Sequence, residues 1–132
     1  MNTIMVGIAD DHQEIRKYVS NMFNIDERFN LNIEARNGKE LLDQLSEKEA
    51  KVVILDIRMP VLNGIKTLEL IKEKYPDIKV VMFSSQSDPF TVRVAKSLGA
   101  NSFVDKFYQE ILKDTVIQVY NEGYSYNTIF QP

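Results

Sequence analysis

Apolar residues in this chain occur in short unbroken runs, separated by longer stretches whose apolar positions follow a helical period. Residues 4–9, 52–55 and 80–83 are almost entirely apolar, which is typical of strands buried on both faces of a sheet. Residues 29–35 instead alternate apolar and polar side chains, as expected for a less covered strand at a sheet edge. A shorter apolar stretch at residues 102–105 predicts a fifth strand.

The stretches between these runs carry apolar residues three and four positions apart, which predicts a helix after each strand. Asn37-Gly38 and Asn63-Gly64 mark turns that lead into two of these helices, and Asp88 is a cap followed by a proline at the first helical position. The helix that follows Asp88 is predicted to have a thin apolar face made by Phe90, Val94, Ala95 and Leu98.

Five strand–helix units in alternation predict an α/β fold, a doubly wound five-stranded parallel sheet with helices on both faces and right-handed crossovers. The flavodoxin-like strand order 2-1-3-4-5 suits five units because it places the alternating second strand at one edge. In that order the third strand lies between the first and the fourth. Their carboxyl ends then converge on one crevice, which is where ligands bind in such sheets.

Composition narrows the chemistry that this fold can perform. The 132 residues suit one domain and include no cysteine and one histidine, His12, so disulfides, thiolate metal sites and multi-histidine metal sites are excluded. A net charge of −3 argues against direct binding to a nucleic-acid backbone. No apolar run approaches a membrane span and no signal-peptide pattern opens the chain, so we expect a soluble, cytoplasmic protein.

Polar residues that could take part in a reaction lie at the predicted carboxyl ends of the strands. Asp10 and Asp11 follow the first strand, Asp56 the third, Ser84 the fourth, and Lys106 the fifth. Taken singly, such residues are usually caps, turn residues or solvated charges. Together, three carboxylates and one ammonium leave uncompensated negative charge, which a hydrated Mg²⁺ would neutralise. A carboxylate held at a strand end, such as Asp56, could then attack phosphorus.

These residues give the chain its resemblance to the response-regulator receiver domain of two-component signalling, over about residues 3 to 122. The matching pieces are Ala9-Asp10-Asp11-His12, Leu55-Asp56-Ile57-Arg58-Met59-Pro60 with Gly64, Ser84 at the Ser/Thr position, and Lys106. The resemblance implies a receiver domain at residues 1–122. Residues 123–132 show neither period and are predicted to be a C-terminal tail or a truncated linker.

By this resemblance, Asp56 accepts a phosphoryl group from a sensor histidine kinase, assisted by Lys106 and Ser84. Mg²⁺ is held by Asp11, Asp56 and the backbone carbonyl of Arg58, and Asp10 acts through a bound water. The domain is not an enzyme beyond its own phosphorylation and dephosphorylation.

The family also implies a switch in which Ser84 moves to the phosphoryl group and Phe103 turns inward. Receivers often have a proline after the lysine. Here that position is Phe107, and we therefore expect a trans Lys106–Phe107 peptide bond because a cis bond without proline costs about 3 kcal/mol.

Three features resemble receivers that are linked to a LuxR-type helix-turn-helix: the start Ala-Asp-Asp-His-Gln, the non-proline residue after Lys106, and Gly123-Tyr124. We therefore expect regulation of transcription through a DNA-binding domain that lies outside this chain, or else a stand-alone receiver. The face between Pro89 and Val119 is available for a homodimer, and no membrane partner is expected.

Other functions remain open from the sequence. A metal-dependent phosphohydrolase of the haloacid dehalogenase type would need a second acid where this chain has Arg58. A pseudo-receiver would bind proteins without binding Mg²⁺. A flavin-binding relative is disfavoured because the acidic pair Asp10-Asp11 would repel phosphate. In a receiver, Arg58 and Gln86 would control the lifetime of the phosphoryl group, and we expect the bulky Arg58 to lengthen it.

Overall fold

The computed structural model describes residues 3–126 and contains one parallel sheet of five strands in the order β2-β1-β3-β4-β5. The predicted flavodoxin-like fold is therefore confirmed. The strands are β1 (Ile4–Ala9), β2 (Phe29–Ala35), β3 (Val52–Leu55), β4 (Lys79–Ser84) and β5 (Ser102–Asp105). The helices are α1 (Gln13–Asn24), α2 (Gly38–Leu45), α3 (Gly64–Lys74), α4 (Pro89–Ser97) and α5 (Leu112–Glu122).

The core has two apolar layers, one on each side of the sheet. On one side the sheet packs against α1 and α5, with Phe23 and Val116 fully buried. On the other side it packs against α2, α3 and α4, with Leu41 and Leu68 fully buried. All four residues of β3 are buried, which explains why this strand lacks any alternation.

Side-chain caps start three of the helices where the sequence predicted turns. The side chains of Asn37, Asn63 and Asp88 accept hydrogen bonds from backbone N–H groups in the first turns of α2, α3 and α4. Each such cap contributes about 1 kcal/mol to helix stability. The caps therefore fix where α2, α3 and α4 begin, and α3 and α4 begin beside the strand ends that carry the candidate residues.

The predicted apolar face of α4 is partly wrong. Phe90 is 68% exposed, whereas Thr91, Val92 and Ala95 are the residues that α4 buries. Val94 and Leu98 lie only partly buried at the margin of that face. The helix is therefore rotated relative to the prediction, so that Val92 packs inward in place of Phe90.

The connection from β5 to α5 is itself helical. A 3-10 helix, Lys106–Ile111, precedes α5. The side chain of Asp105 accepts a hydrogen bond from the N–H of Phe107 at 2.7 Å and caps this segment. The peptide bond between Lys106 and Phe107 is trans, as predicted, and no cis bond occurs within residues 3–126.

The edge strand β2 pairs irregularly with β1. Val6 is opposite Leu31, but the next residue, Gly7, is opposite Ile33, so Asn32 is an extra residue in the ladder. A skip of this kind is a β-bulge and increases the local twist of the strand.

The chain beyond α5 stays against the sheet over the residues that the structure describes. Gly123 ends α5 in the left-handed conformation, with φ of 91°, and Ser125 forms an isolated parallel bridge with Ser102 of β5. The predicted tail, residues 123–132, thus begins with a packed segment, and its residues 127–132 lie outside the described part. The domain boundary at residue 122 stays a prediction. Among the helices of residues 3–126, none has the length and apolar character needed to cross a bilayer.

Candidate functional site

The candidate residues lie at the carboxyl edge of the sheet, where the backbone holds two of them directly. The N–H of Asp10 donates to the carbonyl of Ala35 and the N–H of Asp56 donates to the carbonyl of Ala9, both at 3.0 Å. These bonds continue the parallel ladder by one residue beyond each strand. Asp10 and Asp56 are therefore fixed side by side on the ends of β1 and β3.

Lys106 joins these two carboxylates from the end of β5. Its Nζ lies 2.8 Å from Asp10 Oδ2 and 3.1 Å from Asp56 Oδ2. The three side chains are largely buried, with exposed fractions of 15% for Lys106, 1% for Asp10 and 4% for Asp56. The ammonium thus neutralises one of two buried carboxylates and is shared between them.

Burial determines the titration of this cluster. Burial raises the pKa of the Asp56 carboxyl, the charge of Asp10 raises it further, and Lys106 offsets part of this effect. Burial alone lowers the pKa of Lys106, but Asp10 and Asp56 outweigh it, and the net pKa of Lys106 is raised. Lys106 is consequently a permanent cation at neutral pH.

Asp11 and His12 complete the acidic cluster on its solvent side. The Nδ1 of His12 lies 3.1 Å from Asp10 Oδ1 and 3.2 Å from Asp11 Oδ1. One ligand atom from each of Asp10, Asp11, His12 and Asp56 can be chosen so that all four lie within 4.8 Å of one another.

The cluster fits a hard divalent cation. Its three carboxylates face one ammonium, which leaves two negative charges uncompensated. Among residues 3–126, the buried Asp10 Oδ2 has the Lys106 ammonium, at 2.8 Å, as its one polar contact. Carboxylate oxygens and space open to water are what Mg²⁺ requires, since this ion keeps several of its waters. The donor set of this site is therefore suited to Mg²⁺.

Gly64 allows α3 to start directly against Asp56. Its N–H donates to the carbonyl of Ile57 at 2.7 Å, and a β-carbon at position 64 would lie 1.8 Å from the backbone oxygen of Asp56. The N–H of Ile57 in turn donates to Asp56 Oδ1 at 2.7 Å. Only glycine permits this approach, so Gly64 sets the position of the Asp56 backbone.

A hydrogen-bonded chain of side chains links the loop after β3 to the start of α4. Arg58 Nε donates to Gln86 Oε1 at 3.0 Å, and Gln86 Nε2 donates to Thr91 Oγ1 at 3.4 Å. The buried Ser84 Oγ accepts a hydrogen bond from the N–H of Gln86 at 3.0 Å. Arg58 and Gln86, which the sequence identified only as separate positions, are thus direct partners.

Phe103 is 1% exposed and packs in the apolar layer that contains α2, α3 and α4. Any rotation of this ring would therefore take place within the core and not from the surface inward. The switching roles of Ser84 and Phe103 stay predictions.

Sequence reasoning missed two residues that shape the site. Ser87 donates a hydrogen bond to Asp105 Oδ2, while Asp105 Oδ1 caps the segment that begins with Lys106. Asp105 therefore orients the loop that carries the lysine. Its position directly before a helical segment is a recognisable capping signal.

Comparisons with known proteins agree with this geometry. The family model "Response regulator receiver domain" matches residues 6–116. The transcriptional regulatory protein LnrK of Bacillus subtilis is 29% identical over 129 residues, which are 98% of this chain and 57% of that protein. A protein-glutamate methylesterase/protein-glutamine glutaminase of Clostridium acetobutylicum is 34% identical over 139 residues, covering all of this chain and 40% of that protein. The chain thus spans about half the length of these relatives or less.

Among solved structures, a LuxR-family DNA-binding response regulator from Staphylococcus aureus superimposes with a TM-score of 0.83 at 27% identity, covering 89% of this chain and 99% of that one. The family match extends over most of the chain, and the strand order and the acidic edge agree with it. This chain belongs to the response regulator receiver domain family.

Proposed function

We propose that this receiver domain accepts a phosphoryl group on Asp56 from a sensor histidine kinase. The observation that supports this most is the near-buried Asp56 carboxylate at the end of β3, 3.1 Å from the Lys106 ammonium and beside Asp10 and Asp11. A carboxylate fixed in this way is oriented for attack, and its charge is only partly compensated.

Transfer needs a nucleophile and a means to spread charge. A carboxylate oxygen of Asp56 forms a bond to phosphorus while the phosphorus–nitrogen bond of the donor phosphohistidine breaks, and the electron pair stays on the imidazole. Lys106 stabilises the negative charge on the phosphoryl oxygens, and Ser84 supplies a hydroxyl donor from β4. The buried surroundings strengthen both interactions.

Mg²⁺ would be held by Asp11, Asp56 and the backbone carbonyl of Arg58, with Asp10 acting through a water. This ion supplies electrostatic stabilisation of the transferring phosphoryl group. Asp11, the most exposed of the three carboxylates, contacts His12 in this structure, and that ring must yield when the ion binds.

The output of the whole protein is a separate part of the proposal. The relatives LnrK and the Staphylococcus aureus regulator support control of transcription by a DNA-binding domain outside this chain. The methylesterase relative, at 34% identity, supports an enzymatic output as the second candidate. Either output would lie beyond the domain described here, and the reading frame after Pro132 distinguishes them. A homodimer through the face between Pro89 and Val119 and a cytoplasmic location stay predictions.

The test is labelling with a small phosphodonor such as acetyl phosphate in the presence of Mg²⁺, followed by intact mass measurement. We expect one phosphoryl group on the wild-type chain, no label on Asp56→Asn, and no label after chelation of Mg²⁺. Asp43→Asn is the matched control, since Asp43 is an exposed carboxylate on α2. Label that persists on Asp56→Asn contradicts the proposal.

Two further outcomes identify the alternatives. Continuous turnover of a phosphomonoester would indicate a phosphohydrolase. A folded wild-type chain that neither binds Mg²⁺ nor takes up label would indicate a pseudo-receiver that acts as a protein-binding module.

A further inference from the structure

His12, the one histidine of the sequence, lies directly before α1 and turns its side chain into the acidic cluster. Residues in this position usually cap the helix with a short polar side chain. Within residues 3–126 the ring of His12 makes no such bond to α1. Its Nδ1 lies instead 3.1 Å from Asp10 Oδ1 and 3.2 Å from Asp11 Oδ1. The ring therefore belongs to the acidic cluster and not to the cap of the helix.

Two hydrogen bonds to Asp10 hold the backbone that carries this ring. The N–H of His12 donates to Asp10 Oδ1 at 2.9 Å, and Arg16 Nη1 donates to the carbonyl of Asp10 at 2.7 Å. The segment from Asp10 to His12 is thereby fixed at the end of β1, with two carboxylates and the imidazole side by side. The side chain of His12 is 64% exposed, so a cation can reach it from the solvent.

The spacing of these atoms suits adjacent ligands of a single metal ion. With metal–ligand bonds of about 2.1 Å, neighbouring ligand atoms lie about 3.0 Å apart around an octahedral ion and about 3.4 Å apart around a tetrahedral one. The distances from His12 Nδ1 to the oxygens of Asp10 and Asp11, 3.1 and 3.2 Å, fall between these values. With Asp56 included, the four residues offer ligand atoms that all lie within 4.8 Å of one another. The imidazole is therefore placed to share a cation with the carboxylates.

An imidazole nitrogen changes which ions a site prefers. Carboxylate, carbonyl and water oxygens suit Mg²⁺, whereas imidazole suits Fe²⁺, Ni²⁺, Cu²⁺ and Zn²⁺. A neutral imidazole adds no charge, so a divalent ion still balances the two uncompensated negative charges of the cluster. Ligation through Nδ1 leaves the proton of the ring on Nε2. The donor set with His12 is thus suited to a transition-metal ion, and the donor set without it is suited to Mg²⁺.

We propose that His12 is a metal ligand and that this site binds divalent transition-metal ions in competition with Mg²⁺. The inference rests on the metal site of the proposed function and extends that site to a second class of ion. Mg²⁺ binds to oxygen atoms after the ring has moved aside, whereas a transition-metal ion keeps the ring as a ligand. Both ions need Asp11, so the site holds one of them at a time. The phospho-acceptor site thereby becomes sensitive to the supply of transition-metal ions.

Calorimetric titration of the full chain with Ni²⁺ and, separately, with Mg²⁺ tests the proposal, since these ions have nearly the same radius and differ in their preference for nitrogen. His12→Gln should weaken Ni²⁺ binding at least tenfold, because loss of a residue that only orients a ligand already costs about 10- to 100-fold. Binding of Mg²⁺ to His12→Gln should be unchanged or tighter, because no ring has to move aside. Gln13→Ala, a change at the exposed neighbouring residue, should bind both ions as the wild type does. Asp11→Asn should weaken the binding of both ions.

Nitrogen NMR of the wild-type chain with Zn²⁺, which is diamagnetic, supplies a second measurement that needs no variant. Because the sequence contains one histidine, the signals of an imidazole ring can come from His12 alone. Zn²⁺ should shift the signal of Nδ1 strongly and that of Nε2 much less, whereas saturating Mg²⁺ should not produce this pattern. A ring whose Nδ1 signal does not respond to Zn²⁺ contradicts the proposal.

The metal inference and the proposed function fail in different ways. If His12→Gln weakens Ni²⁺ and Mg²⁺ binding equally, or leaves Ni²⁺ binding unchanged, the ring only donates hydrogen bonds to the carboxylates and the inference is overturned. Labelling of Asp56 in the presence of Mg²⁺ does not depend on that result, and the proposed function would stand. A wild-type chain that binds Ni²⁺ through His12 but never takes up label overturns the proposed function and leaves the inference standing.

Discussion

Asp10 and Asp56 share a single cation, because Lys106 Nζ lies within 3.1 Å of a carboxylate oxygen of each. Both carboxylates are almost completely buried, so the second negative charge has no full partner among the described residues. Uncompensated buried charge destabilises a fold. The site therefore stores a repulsion that a metal ion or the loss of one charge can relieve.

Asp56→Asn should raise the free energy of unfolding at neutral pH without Mg²⁺, on the order of 1 kcal/mol. Because burial raises the folded pKa of Asp56, the folded wild type binds this proton more readily than the unfolded chain does. Ionised Asp56 therefore lowers the free energy of unfolding at pH values above its pKa in the folded chain. This loss of stability disappears as the pH falls to the pKa of Asp56 in the unfolded chain. Urea unfolding at pH 7 and near pH 4 measures the effect.

Asp43→Asn is the control for that experiment and should change stability by less than about 0.5 kcal/mol, since its carboxylate is exposed. An Asp56→Asn variant that is less stable than the wild type at pH 7 would contradict the claim that the charge of Asp56 destabilises the fold.

Mg²⁺ should stabilise the wild-type chain against unfolding by about 2.7 kcal/mol at one hundred times its dissociation constant. The reason is that the ion should bind the folded cluster of Asp10, Asp11 and Asp56, which the unfolded chain does not assemble. Asp11→Asn should remove most of this gain. Asp77→Asn should keep it, because Asp77 is exposed in the turn before β4, at the opposite end of the sheet. Thermal unfolding with and without a chelator measures both, and equal stabilisation of both variants would rule out the site.

Two glycine-to-alanine variants distinguish a steric clash from backbone strain. Gly64→Ala introduces the clash, and Gly123→Ala introduces the strain. The new β-carbon at position 64 meets the backbone of Asp56, so we expect a loss of about 3 kcal/mol and a sharp drop in phosphoryl labelling. At position 123, where φ is 91° and nothing lies within 4 Å of the new atom, the cost is left-handed strain of about 1 kcal/mol. Labelling of Gly123→Ala should be normal. Normal labelling of Gly64→Ala would show that α3 can retreat from Asp56.

Arg58→Ala should shorten the lifetime of the phosphoryl group on Asp56 by roughly fivefold, the factor for loss of one hydrogen bond. Arg58 is held across the site by its hydrogen bond to Gln86, and we expect this pair to restrict the approach of water. Gln86→Ala should have a similar effect, and the double variant should be no faster than either single one because both remove the same contact. Decay of label after removal of the donor measures the rate, with the exposed Arg93→Ala as control. An unchanged decay rate for Arg58→Ala would refute the shielding role.

The sheet could be predicted from the sequence because burial on both faces leaves a clear pattern. Val52 to Leu55 and Val80 to Phe83 have no polar positions, and polar residues follow each run at once. The strand order then places Asp10, Asp56 and Lys106 at one edge without further information. The strand order alone was therefore enough to predict that these charged residues lie close together.

The side chains of α4 could not be placed in the same way. The predicted apolar face of α4 contains Phe90 and Val94. The face that is buried contains Thr91, Val92 and Ala95 and lies about one residue further round the helix. Local spacing does not choose between two faces of a nine-residue helix, and the choice is decided by packing of Val92 and Ala95 into the apolar layer on this side of the sheet. Residues 123–126 left no periodic signal either, because their bonds come from Asn101 and Ser102, more than twenty residues away.

The irregular pairing of β2 at Asn32 has a consequence for the protein at high concentration. Edge strands with long, regular rows of free peptide groups are templates on which other chains add and fibrils grow. The bulge at Asn32 twists one edge of the sheet, and Ser125 occupies peptide groups on the other. We therefore expect strand addition to be disfavoured at both edges of the sheet, so that two copies of this domain that meet associate through their helices.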